Sequence, residues 1–334
     1  MTIDEKKMKK IPGLADIHFN GYKGVDFSDP GLTEDAFAAT CREVLESGTT
    51  LFLPTLVSAL EETYQRNLPL ISAVMGMPEF ENRIPGFHIE GPFLAPNPGT
   101  LGVHTRENIH SADTEFLDKL IEWSGGKIRL LTISAEIEGA GELIRHAVSR
   151  GIAVSLGHTA ALEGDLENAA NAGATSLTHL GNGIPDVIQR HHNSIWAGLS
   201  NDDLSAMIIT DGHHLPFSIL KSIIRAKGVP RLIVVSDASP LAGMPPGCYN
   251  YNGEDVILEE NGRLHNPGRN CLAGSSSTIL ECMNHLASLK LLSPDELMQV
   301  GFYNPLKLIG IDPESVRPIR DIYFDGNTFG VRTA

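Results

Sequence analysis

The 334-residue chain is 42% hydrophobic and 20% charged, which allows one large core or two ordinary ones and lies outside the disordered range. A formal net charge of -15 argues against nucleic acid or an anionic membrane surface as the main partner, because either needs a concentrated basic face. No apolar run approaches the roughly eighteen residues needed to span a bilayer, and Cys41, Cys248, Cys271 and Cys282 are scattered without a C-x-x-C pair, which suits a reducing compartment, the cytoplasm.

The opening "MTIDEKKMKK" is of mixed charge with no signal-peptide-type run behind it, and reads as a flexible tail over 1–10. Eight short, β-branched-rich apolar runs follow: "LADIHF" near 14, "TTLFLPTL" near 49, "RIPGFHIEG" near 83, "IRLLTISAE" near 128, "IAVSLGH" near 152, "TSLTHLGN" near 175, "AMIITDG" near 206 and "RLIVVSDA" near 231. A longer segment of helical character follows each. The alternation predicts parallel βα units, and eight of them close an α/β fold of the (β/α)8 TIM-barrel type, expected over 11–311. The alternative, a doubly wound sheet, lacks a G-x-G-x-x-G after its first strand. The first helix is expected to start at a Thr33 N-cap with Glu34 in its first turn and to stop at Gly48; "GAGELIRHAVSRG" should end in the same way at Gly151. After the eighth run, "GCYNYNGEDVILEENGRLHNPGRN" predicts a hairpin excursion turning at Asn261-Gly262, and the stretch from Ile279 to Ile311 a pair of helices. A last hairpin turning at Asp325-Gly326 forms a small C-terminal β appendage over 312–334.

Chemistry in a parallel barrel belongs to the carboxyl ends of the strands, and the unusual polar residues collect there. They are His18 and Asn20, His88 and Glu90, Glu136, His158, His179 and Asn182, Asp211, His213 and His214, and Asp237. Glu90, His158 and His179 fit a three-ligand set, a carboxylate plus two neutral imidazoles, that leaves a catalytic metal an open position for water. Asp237, opposite them, is placed as the general base that takes a proton from that water and returns it to the leaving group.

These residues resemble the N-acetylglucosamine-6-phosphate deacetylase family of the amidohydrolase superfamily, through "FHIEGPFLAP" (87–96), "SLGHTAA" (155–161), "THLGNGIP" (178–185), "TDGHH" (210–214), "SDA" (236–238), "LAGSSST" (272–278) and "YNPLKLIGI" (303–311). The resemblance implies a metal-dependent hydrolase that removes acetate from an amino-sugar phosphate, with Glu90, His158 and His179 as ligands and Asp237 as acid/base. It makes His104 the residue that holds the acetamide carbonyl and its developing oxyanion. Asn182, Gly183, Leu272 and Ala273 are expected to line the sugar and phosphate, with Arg190 and its companion His214 on the phosphate. It also implies a homodimer in which the Arg190 loop reaches the partner subunit's site.

Many amidohydrolases bind a second metal through an H-x-H pair on strand one, where this chain has His18 and Asn20. One divalent transition metal per chain is therefore expected, zinc first and iron or another divalent ion as alternatives, with His18 and Asn20 as hydrogen-bond partners or a weak second site. The resemblance implies a shortened member lacking most of the family's small β-sandwich domain. Open alternatives are N-acetylgalactosamine 6-phosphate, an unphosphorylated N-acetyl sugar or an N-acyl amino acid as substrate, and a noncatalytic sugar-phosphate sensor.

Overall fold

The computed structural model describes residues 8–97, 99–251, 253–268 and 271–332. Among these, the eight apolar runs form eight parallel strands, β1 (Ala15–Phe19), β2 (Leu51–Leu56), β3 (Phe87–Glu90), β4 (Ile128–Ile133), β5 (Ala153–Leu156), β6 (Ser176–Leu177), β7 (Ser205–Ile209) and β8 (Leu232–Val235), each paired with its neighbour in chain order. Just past their ends β8 and β1 meet: Asp237 N–H donates to His18 O at 3.0 Å and Asn20 N–H to Ala238 O at 2.9 Å, closing the barrel.

One helix follows each strand: α1 (Glu34–Glu46), α2 (Glu61–Met75), α3 (Thr114–Trp123), α4 (Ala140–Ser149), α5 (Glu163–Ala172), α6 (Ser194–Ser200), α7 (Phe217–Lys227) and α8 (Ile279–Ser288). Their ends follow local chemistry. Thr33 Oγ1 accepts from Ala36 N–H at 3.2 Å at the start of α1, and the chain leaves that helix through Gly48 at φ 109°, as expected.

The barrel interior is layered. At the bottom, Ala15, Ile17, Leu51, Leu53, Leu130, Met207, Ile209, Ile233 and Val235 pack together, plugged by Phe302, Leu306 and Ile309. A polar layer lies above: His88 reaches Thr55 Oγ1 at 3.2 Å and Thr132 Oγ1 at 2.8 Å, and Thr132 bonds Thr178, which donates to Ser155 at 2.6 Å. Phe19, Phe52, Phe87 and their neighbours form the outer core beneath the helices.

β1 departs from strict alternation. Asp16 pairs with Phe52 and Phe19 with Pro54, so β1 carries one extra residue, a bulge. Ile17 packs in the interior cluster, and His18, the next residue, also turns inward to Glu90 and Asp237.

The excursion after β8 is a four-stranded antiparallel sheet rather than a single hairpin: β9 (Gly247–Tyr251), β10 (Glu254–Leu258), β11 (Leu264–Asn266) and β12 (Cys271–Leu272). Its Asn261-Gly262 turn is present, with Gly262 at φ 89°. The second of the two expected helices is a continuous run, α9 (Pro294–Met298), a π-helical turn over Gln299–Tyr303 and α10 (Asn304–Leu308). The appendage is β13 (Ile322–Phe324) and β14 (Phe329–Val331). Residues 1–7 of the expected tail lie outside the described residues, but its end is ordered: Lys9 pairs with Phe324 and Lys10 with Tyr323. The tail reading fails there because the partner strand lies at the other end of the chain, where local pattern carries no signal of it.

Candidate active site

Four strand ends bring one cluster of side chains together. Glu90 closes β3, His158 follows β5, His179 follows β6 and Asp237 follows β8. His158, His179 and Asp237 have left-handed backbones, at φ 49°, 31° and 49°, a region in which Asn, Asp and His are over-represented among non-glycine residues. Those turns aim the side chains across the mouth. Glu90 Oε1 lies 3.1 Å from His158 Nε2 and 3.0 Å from His179 Nε2, and the two nitrogens are 3.1 Å apart.

Zinc–nitrogen bonds of about 2.0–2.1 Å in a tetrahedron place neighbouring donors about 3.3 Å apart. The three atoms are close to that spacing, and a carboxylate with two imidazoles is a zinc-type set, so they fit a metal. The orientation of His158 agrees: its Nδ1–H donates to Thr100 O at 2.7 Å, which turns the Nε2 lone pair into the site. Glu90 and His158 also form a compact group with His104, all within 4.8 Å. The network gives His104 a different character. Ser58 N–H donates to His104 Nδ1 at 3.3 Å, so the neutral ring carries its proton on Nε2, a donor 3.3 Å from His158 Nε2. His104 suits a hydrogen bond to a substrate oxygen better than a metal bond.

His18 and Asn20 face the same side, both reaching Asp237. His18 Nε2 lies 3.2 Å from Glu90 Oε2 and 3.1 Å from Asp237 Oδ1, and Asn20 Nδ2 donates to that same Oδ1 at 2.7 Å. Asn20 thus orients the Asp237 carboxylate. Burial disfavours an ionised Glu90, yet the charges of His18 and His158 hold it well below the usual carboxylate range. Burial also opposes a charged His18, but Asp237 and Glu90 outweigh it and push the imidazole up to about 9. Burial, with His158 alongside, takes His104 down to about 3.

Above the cluster lies a cavity of about 480 Å³. Asn20, Glu90, His158, His179, Asn182, Gly183, His214, Asp237, Leu272 and Ala273, all singled out in the sequence, line it. Gly183, at φ 60°, runs close over the two imidazoles: a Cβ there would stand 3.0 Å from His158 Nδ1 and 3.1 Å from His179 Cε1. Arg190 is exposed on the loop before α6 and is not among the residues lining the cavity of its own chain; His191 and His192 line a separate cavity beside Trp196. His88 is one layer too deep. Positions 88 and 90 share a face of β3, but His88 is held below the mouth by two threonine hydroxyls.

Ser58 and Thr100, which set the two histidine tautomers, have no signature in the sequence. Glu136, noted as a strand-end acid, is a clip between two loops: it accepts from Asn97 Nδ2 at 3.0 Å, from Ala160 N–H at 2.7 Å and from Thr159 Oγ1–H. It ties the loop that carries His104 to the one that carries His158.

Known proteins with the same pattern are similar across nearly the whole chain. The model of the amidohydrolase family matches residues 10–320. The N-acetylglucosamine-6-phosphate deacetylase of Bacillus subtilis is 30% identical over 310 residues, which cover 90% of this chain and 75% of that protein. The N-acetylgalactosamine-6-phosphate deacetylase of Escherichia coli O157:H7 is 30% identical over 304 residues, covering 90% and 78%. Among solved structures, a variant of the Mycobacterium smegmatis N-acetyl-D-glucosamine-6-phosphate deacetylase in complex with N-acetyl-D-glucosamine 6-phosphate is similar with a TM-score of 0.85 at 25% identity, over 97% of this chain and 85% of that one. With a closed barrel, a buried carboxylate and imidazole cluster at its mouth and these relatives, the chain belongs to the amidohydrolase family, among the N-acetylglucosamine-6-phosphate deacetylases.

Proposed function

We propose that this chain hydrolyses the acetamide of N-acetylglucosamine 6-phosphate to glucosamine 6-phosphate and acetate, using one divalent transition metal held by Glu90, His158 and His179. The observation that carries the reading is the convergence of those three donors at 3.0–3.1 Å beneath a cavity that also holds Asp237. A bound ion supplies Lewis acidity and lowers the pKa of a water it carries to about 7. Zinc suits two imidazoles and a carboxylate, and iron suits imidazole too.

The remaining work is done by the chain. Asp237, oriented by Asn20, takes the proton of the attacking water and delivers it to the departing amine. His104 donates Nε2–H to the amide oxygen as negative charge develops on it. His18 lies between Glu90 and Asp237 and balances their charge. Asn182, Gly183, Leu272 and Ala273 bound the sugar, with His214 toward the phosphate.

Arg190 completes the phosphate site from a second copy of the chain. Exposed apolar side chains around its loop support a homodimer: Val187 is 90% and Trp196 57% exposed, with Ile188, Phe217 and Ile219 nearby in the sequence order of the same two loop-helix units. The scattered cysteines, with Cys41 and Cys282 as buried thiols, support the cytoplasm. A second substrate, the 4-epimer N-acetylgalactosamine 6-phosphate, has support from the Escherichia coli relative at equal identity.

The test is acetate release from N-acetylglucosamine 6-phosphate, N-acetylgalactosamine 6-phosphate and the two unphosphorylated sugars. The proposal requires the highest kcat/KM on N-acetylglucosamine 6-phosphate. Release from none of them, or equal release with and without phosphate, would overturn it.

A further inference from the structure

The roles given above leave one part of the substrate without a partner, the methyl of its acetyl group. Two valines flank the donor that holds the acetyl oxygen. Val103 directly precedes His104, and Val57 directly precedes Ser58, whose N–H donates to His104 Nδ1 at 3.3 Å. Both valines line the 480 Å³ cavity. Both are half-buried, and among the described residues neither belongs to a core cluster of the barrel or of the sheet after β8, so their apolar faces are uncommitted. Their backbones are fixed. Val57 N–H donates to Ser28 Oγ at 3.0 Å, and its carbonyl accepts from Tyr64 O–H at 2.9 Å. His104 N–H donates to Leu101 O at 2.9 Å, and Asn108 Nδ2 donates to Ser58 O at 3.3 Å, which ties the loop of Val103 to that of Val57. Gly102, at φ 58°, lies against the metal cluster: a Cβ there would stand 3.4 Å from His158 Cε1. Val103 therefore joins a residue packed on His158 to the His104 donor.

A planar amide restricts where its acyl substituent can go. Oxygen, nitrogen and methyl leave the acyl carbon in one plane. With the oxygen on His104 Nε2–H and the nitrogen toward Asp237, the methyl takes the remaining direction, along the wall beside His104. Valine gives that wall a fixed shape, because a β-branched side chain is stiff at χ1 and does not swing aside. We propose that Val57 and Val103 are specificity-determining residues that form an acyl subsite: they hold the acetyl methyl and exclude longer N-acyl groups. This rests on the amide-hydrolysis reading above. It is independent of the sugar epimer and of the phosphate, since the acyl group lies on the other side of the amide nitrogen from the ring. A widened subsite would run the same hydrolysis on a longer chain: water adds to the acyl carbon, the C–N bond breaks, the amine takes the proton, and propionate leaves in place of acetate.

The experiment measures kcat/KM for the N-formyl, N-acetyl and N-propionyl forms of glucosamine 6-phosphate with the wild type, Val57→Ala, Val103→Ala and Val103→Ile, all metal-loaded. One methylene too many in an apolar pocket costs about 10- to 200-fold, so the wild type should prefer the acetyl over the propionyl substrate by a factor in that range. In either alanine variant the propionyl-to-acetyl ratio should rise at least about tenfold, because the removed methyl groups leave room for the extra carbon. Val103→Ile narrows the subsite. Its acetyl-to-formyl ratio should fall about tenfold, since the formyl group carries no carbon to crowd. This variant adds volume instead of a void, so it carries the test if the alanine variants fail to fold. A wild type that takes propionyl as readily as acetyl would overturn the proposal. Acyl ratios that stay unchanged in the variants, with equal losses on all three substrates, would also overturn it and leave the valines as loop braces. A wild type that releases no acetate would remove the substrate reading instead, a result distinct from deacetylation with an acyl preference that the variants do not move.

Discussion

His158, His179 and Asp237 hold left-handed backbones that cost roughly 1–3 kcal/mol apiece, and all three serve the cavity mouth. The strain converts strand ends into inward-pointing donors, so the chemistry is sensitive to single side chains. Asp237 lies outside the trio of donors that meet at 3.0–3.1 Å. Asp237→Asn should therefore retain metal and lose kcat by about a hundred- to ten-thousand-fold; metal retained with near-normal turnover would remove it from proton transfer. Gly183 makes a different demand. The methyl group of Gly183→Ala would crowd both imidazoles at 3.0–3.1 Å, on a backbone that already disfavours a Cβ. Its zinc affinity, measured by chelator competition, should fall about ten- to a hundredfold, with the fold intact by circular dichroism. Affinity equal to the wild type's would mean that the loop yields without moving the imidazoles. The three clustered donors are legible in the sequence because histidine and glutamate at strand ends are conspicuous, whereas Ser58 and Thr100 act through one backbone N–H and one carbonyl and look like any loop residue.

At the level of elements, the closure between β1 and β8 is tied by a buried acid within β1. Asp16 accepts from Ser236 Oγ–H at 2.5 Å and from Ser236 N–H at 3.1 Å. Burial, partly offset by these bonds, raises its carboxyl to about 6. In the unfolded chain the group titrates near 3.9. Between about pH 4 and 6 the folded state thus binds more protons, and stability falls as pH rises through that window. Asp16→Asn has no such titration. Denaturation midpoints at pH 4.5, 5.5 and 6.5 should show the wild type losing ground to the variant as pH rises, and a constant difference would contradict the shift. The eight strands were readable because each is a compact apolar run with a turn signal behind it. The bulge in β1 was not, since it follows from pairing with β2 and leaves no mark on residues 15–20. Nor was the strand at Lys9–Lys10, which exists only because Tyr323 and Phe324 offer an edge.

For the whole molecule, the layering of the barrel separates stability from chemistry. An apolar plug fills the bottom, hydroxyls and His88 form the middle, and the charged cluster is confined to the mouth. The mouth is legible in the sequence but the middle is not: a histidine two residues before Glu90 shares its face and looks like a member of the same cluster. Asn20 gives Asp237 a neutral hydrogen-bond donor where a second imidazole would be a metal donor, and one ion per chain is the stoichiometry we propose. The most direct test is to strip the purified protein with a chelator, add zinc back in measured steps and follow acetate release from N-acetylglucosamine 6-phosphate. The stripped protein should be inactive, and its activity should rise linearly with added zinc and saturate at one zinc per chain. Activity that survives complete stripping, or that saturates only at two ions per chain, would contradict it.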